Sequence, residues 1–62
     1  MMEESELRSR ILNRLGLRIE PRMCKYVLQK AGNSAQPLAV IGGDARTGVP
    51  RTEIIEPRAV LK

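Results

Sequence analysis

The chain has 62 residues and a formal net charge of +4, from 11 Lys and Arg against 7 Asp and Glu, with one Cys, one Tyr, and no His, Phe or Trp. That composition excludes an internal disulfide and a Cys/His zinc site within one chain, and no metal or other cofactor is expected. It allows a single small domain over 1–62, with 1–4 as a flexible tail, and a core drawn from Leu, Ile, Val, Met and Ala.

At this length only about 60% of the surface of the unfolded chain is buried on folding. Burial and ordering terms then nearly cancel for a monomer. Association with a second copy, as a homodimer, is the expected remedy. The acidic start Met1-Met2-Glu3-Glu4-Ser5 is unlike a secretory signal, and no apolar run approaches the ~20 residues that cross a bilayer. A cytoplasmic chain without a membrane partner is the expectation. Its excess of cations would favour polyanions or acidic surfaces.

Leu7, Ile11, Leu12 and Leu15 fall on one arc at 100° per residue, which predicts an amphipathic helix over 6–15. Ser5 is the expected N-cap and Gly16 the expected residue past its end. Acids at Glu3, Glu4 and Glu6 suit the positive end of the helix dipole. Glu4 with Arg8 and Glu6 with Arg10 have favourable spacing, and Arg10 and Arg14 are placed on the outer face. Leu17-Arg18-Ile19 alternates, so a packed turn or short strand is expected there with Arg18 outward.

Pro21 suits the first turn of a second helix, whose apolar side holds Met23, Cys24, Val27, Leu28 and Ala31 and which ends at Gly32-Asn33. The opposite side carries Arg22, Lys25, Tyr26 and Gln29, with Lys30 at its margin, and no acid. A polar connector, Asn33-Ser34-Ala35-Gln36, leads to Pro37 and the apolar run Leu38-Ala39-Val40-Ile41, which suits a strand buried on both faces or at an interface.

Glycines at 42, 43 and 48 permit positive φ in the connector, and a return strand follows around Thr52-Glu53-Ile54-Ile55-Glu56. Its apolar residues do not alternate, so a bulge or a strand partly covered on both sides fits equally well. Pro57 ends regular pairing or marks an edge. The tail Arg58-Ala59-Val60-Leu61-Lys62 is apolar enough to dock on the body or on a partner chain. The expected fold is therefore α+β: two short amphipathic helices followed by a β-hairpin, completed by dimerisation.

Gly43 to Gly48 has the glycine spacing of a phosphate-binding loop, but Val49 and Pro50 stand where that loop needs Lys and a hydroxyl residue, and strands flank it instead of a strand and a helix. Cys24 lies on an apolar helix face with neither a His base nor a second thiol, and Glu53 and Glu56 point to opposite faces of a regular strand. No residue set specifies a reaction, so the chain is read as non-catalytic.

Helix, turn, basic helix and hairpin also occur in that order at the end of a winged helix-turn-helix domain. On that analogy Arg22, Lys25, Tyr26, Gln29 and Lys30 face nucleic-acid bases or phosphates, while Arg46 and Arg51 reach the adjacent backbone. Against it, the stretch from Gly16 to Pro21 is longer than the motif's tight turn. Two readings result. One is a self-associating binding module whose basic face takes nucleic acid. The other is a protein–protein assembly subunit with no nucleic-acid role. In both, Leu38, Val40, Ile41, Val60 and Leu61 are the expected interface between copies.

Overall fold

The computed structural model describes residues 2–33 and 36–61, with Asn33 and Leu61 described in their backbone only. Ser34 and Ala35 of the expected polar connector lie outside the described residues. The fold is α+β: helices α1 (Glu4–Leu15), α2 (Pro21–Asn33) and α3 (Pro57–Leu61) lie with strands β1 (Leu17–Arg18), β2 (Leu38–Asp44) and β3 (Pro50–Ile55) in a three-stranded antiparallel sheet of order β1-β2-β3.

Helix α1 begins earlier than its apolar spacing indicates. Glu3, extended at φ −80 and ψ 158, holds the N-cap position without a side-chain cap bond, and Ser5 is already helical. The acids at Glu4 and Glu6 fill the first turn in place of a hydroxyl cap. Leu7 and Ile11 are buried. Gly16 ends the helix as its sequence suggests, left-handed at φ 62, its N–H donating to the Leu12 carbonyl at 2.9 Å.

The segment after Gly16 is the third strand of the sheet. Leu17 pairs with Asp44 and Arg18 with Gly43, so Leu17 points into the core and Arg18 to solvent. A strand, not a tight turn, therefore joins α1 to α2.

Strand β2 alternates. Leu38 and Val40 are buried while Ala39 and Ile41 are exposed, because the helices cover only one face of the sheet. This corrects the expectation of a strand buried on both faces. The β2–β3 register runs without a break from Leu38↔Ile55 to Gly43↔Pro50, with no bulge. Directly opposed residues share a face. Arg51, Glu53 and Ile55 therefore lie on the helix side, and Pro50, Thr52 and Ile54 on the outer side.

Asp44 closes the hairpin. Its carboxylate accepts from the Arg46 and Thr47 N–H groups at 2.9 and 3.0 Å and from the Thr47 hydroxyl at 3.3 Å, while Gly48 at φ 76 turns the chain back. Those backbone donors hold the Asp44 carboxyl below its usual range, first Thr47 and then Arg46, with a smaller contribution from Arg51. Positive φ occurs at Gly16 and Gly48 among the described residues, so Gly42 and Gly43 are not turn glycines.

Pro57 ends the pairing of β3 and opens α3, a proline's favoured place in a helix. Two arginines expected on the outer face of α1 fasten it: Arg10 Nη1 donates to the Val60 carbonyl at 2.9 Å and Arg14 Nη1 to the Ala59 carbonyl at 2.6 Å. The C-terminal carbonyls of a short helix need such donors, and α1 supplies them. Leu7, Ile11, Leu17, Ile19, Cys24, Val27, Leu38, Val40, Ile55 and Val60 form that core, with Met2, Leu15, Met23 and Leu28 at its margin.

Candidate nucleic-acid interface

Helix α2 displays the basic stripe that its sequence implies. Arg22, Lys25, Tyr26, Gln29 and Lys30 are all exposed, and α2 holds no acid along its whole length. Residues 22, 25, 26 and 29 follow i, i+3, i+4, i+7 and so share one face. Lys30 Nζ stands 5.8 Å from the centre of the Tyr26 ring, a cation–π distance that leaves the ring attached to a positive surface.

At its N-terminal end this stripe runs into two adjoining clefts. One, of about 280 Å³, is lined by Ser5, Arg8, Ser9 and Leu12 of α1 with Arg18 and Ile19. The other, of about 540 Å³, is lined by Arg18, Glu20, Arg22 and Met23 on one side and by Ile41, Gly43 and Pro50 of the outer sheet face on the other. Arg18 belongs to both. Among the described residues no hydrogen bond or ion pair engages the guanidinium groups of Arg8, Arg18 or Arg22. The arrangement is therefore a strip of three uncommitted guanidiniums, with two serine hydroxyls at one end and an aromatic ring beyond the other. Guanidinium forks and hydroxyls donate to phosphate oxygens, and an exposed ring stacks on bases.

Arg8 and Arg18 were not singled out in the sequence. The alternation of Leu17-Arg18-Ile19 turns Arg18 outward, but only the pairing of β1 with β2 sets it between α1 and the start of α2. The hairpin arginines behave differently. Arg46 stands exposed on the turn, outside both clefts.

Arg51 is drawn inward. Its Nη2 donates to the Leu15 carbonyl at 2.6 Å and to the Gly16 carbonyl at 3.3 Å, its Nη1 lies 3.4 Å from Asp44 Oδ1, and its Nε lies 3.4 Å from Glu53 Oε1 without hydrogen-bond geometry. The structure thus brings Arg22 of α2 together with Arg18 and, through it, Arg8, leaves Arg46 apart, and uses Arg51 to join elements of the fold.

Of the residues expected at an interface between copies, Leu38, Val40 and Val60 are buried within this chain's own core, and Ile41 is 57% exposed. The side chain of Leu61 lies outside the described residues. Cys24 is buried beneath α2. Burial raises its thiol pKa above the ordinary value; Arg8 opposes that shift and Glu4 adds to it. Among the described residues there is no group of three or more His, Cys, Asp or Glu placed to hold a metal ion, and no helix is long and apolar enough to cross a membrane. No protein-family model, curated protein or solved structure matches this chain.

Proposed function

We propose that this chain is a non-catalytic binding module that grips the sugar–phosphate backbone of nucleic acid along the strip from Arg8 through Arg18 and Arg22 onto the outer face of α2. The observation that carries the reading is the set of three guanidiniums that have no partner among the described residues, around two adjoining clefts and continuous with a helix face free of acids. Cations that stabilise a fold are usually tied to carboxylates or carbonyls, as Arg10, Arg14 and Arg51 are here. Arg8, Arg18 and Arg22 are left to meet an external anion. Tyr26 adds a stacking surface, and Gln29 a donor and acceptor for a base edge.

Fluorescence anisotropy titrations with duplex and single-stranded DNA and RNA, run between about 50 and 200 mM salt, test this reading. Affinity is expected to fall log-linearly with salt. Arg18→Gln should weaken binding to every sequence alike and make the slope shallower by about 1. Absent or salt-independent binding removes the proposal.

A second reading, a subunit that assembles with copies of itself, is favoured by a separate observation. The outer sheet face leaves Ile41 at 57% and Ile54 at 67% exposure. Sedimentation over a concentration series tests it, and a monomer throughout would refute it.

A further inference from the structure

Strand β3 ends the sheet, and no strand lies beyond it among the described residues. The hairpin fixes which of its backbone groups are free. Asp44 N–H donates to the Val49 carbonyl at 2.9 Å, and antiparallel ladders alternate between hydrogen-bonded and non-bonded pairs. Gly42↔Arg51, Val40↔Glu53 and Leu38↔Ile55 are then the bonded pairs. The N–H and C=O groups of Thr52 and Ile54, and the C=O of Pro50, therefore point away from β2 along the open edge. An edge of this length with free donors and acceptors is a template for another strand.

Resting on the reading of the chain as a self-assembling subunit, we infer that β3 pairs antiparallel with β3 of a second copy, about a two-fold axis through Thr52, to make one continuous six-stranded sheet. The register follows from strand overlap, which is longest for axes at residues 52 and 53 of β3, and from charge. Side chains alternate along a strand, so a two-fold axis that keeps both helix layers on one side passes through a residue, not between two. An axis at residue 51 sets Arg51 against the partner's Arg51, and an axis at residue 53 sets Glu53 against the partner's Glu53. Like charges directly opposed on neighbouring strands destabilise a sheet.

The axis at Thr52 sets Arg51 against the partner's Glu53 and Glu53 against the partner's Arg51. On the outer face it brings Ile54, two-thirds exposed in the single chain, against the partner's Pro50. Missing an N–H, Pro50 can accept a bond from the partner's Ile54 but cannot donate one. Each pairing of Pro50 with the partner's Ile54 therefore holds one backbone bond where a non-proline pair would hold two.

Three variants in the full chain, followed by sedimentation velocity and oxidative cross-linking, test the edge and its register. Thr52→Pro removes an N–H that points away from β2, so the fold should keep its far-UV circular dichroism while the dimer is lost. Thr52→Cys should give a covalent dimer on mild oxidation, because hydrogen-bonded partners stand about 5.5 Å apart between Cα atoms, within disulfide reach. Glu53→Cys should not link, and the buried Cys24 does not compete.

Wild-type chain that stays monomeric at several hundred micromolar overturns both the association and its geometry. A dimer that survives Thr52→Pro, or that cross-links through residue 53 and not 52, overturns the edge pairing and leaves self-association standing.

Discussion

A methyl group at position 42 has no room. A Cβ built there would lie 2.5 Å from the Arg18 carbonyl oxygen and 2.9 Å from the Leu17 side chain, so β1 crosses β2 closely only because residue 42 is glycine. The obstacle is backbone, which cannot swing aside as a side-chain tip does. Gly42→Ala should cost about 2–3 kcal/mol and lower the thermal midpoint by roughly 10–20 °C, read by circular dichroism. Gly32 has open space around its missing Cβ, and Gly32→Ala should leave the fold intact or slightly firmer. The sequence grouped Gly42, Gly43 and Gly48 as turn glycines. That holds for Gly48, whose neighbours are local, whereas the demand on Gly42 comes from a strand some 25 residues earlier and is invisible until the register of β1 is known.

Between elements, Arg51 does what a cap does within a helix. It lies on β3, yet its guanidinium supplies donors to the last carbonyls of α1 while two carboxylates, Asp44 and Glu53, stand beside it. Its removal leaves the Leu15 carbonyl short of a donor, while the Gly16 carbonyl keeps the Ala45 N–H. Arg51→Gln should therefore destabilise by about 1.5–3 kcal/mol, and Arg51→Lys should not restore the loss, since one ammonium cannot serve the same spread of acceptors. Chemical denaturation measures both, with Arg46→Gln as a near-neutral control.

Read along the chain, Arg51 is one more cation beside a hairpin, because its carbonyl partners are 35 or more positions away. The first two helices were legible from their periodicity and their flanking Pro21 and Gly16. Helix α3 was not: five residues give no measurable period, and its stability comes from Arg10 and Arg14 of α1.

At the scale of the whole molecule, the core among the described residues is ten buried hydrophobic side chains and the ring of Pro57, none of them aromatic, with the helices on one face of the sheet. A fold so thinly filled gains measurably from any partner that binds only its native form. The thermal midpoint of the wild-type chain should rise with protein concentration, and scanning calorimetry at dilutions a hundredfold apart checks this; an unchanged midpoint would show that the single chain holds itself together. The basic side was legible in part. Missing acids along α2 revealed one stripe, while the link to Arg8 through Arg18 depends on tertiary placement that no local pattern encodes.

One further bond bears on how the hairpin meets anything. The Ala45 N–H donates to the Gly16 carbonyl at 2.8 Å, at the root of the turn that presents Arg46. The tip is braced against the end of α1, so it acts as a stiff wedge: whatever docks there must match its shape, and loses little entropy in stilling it.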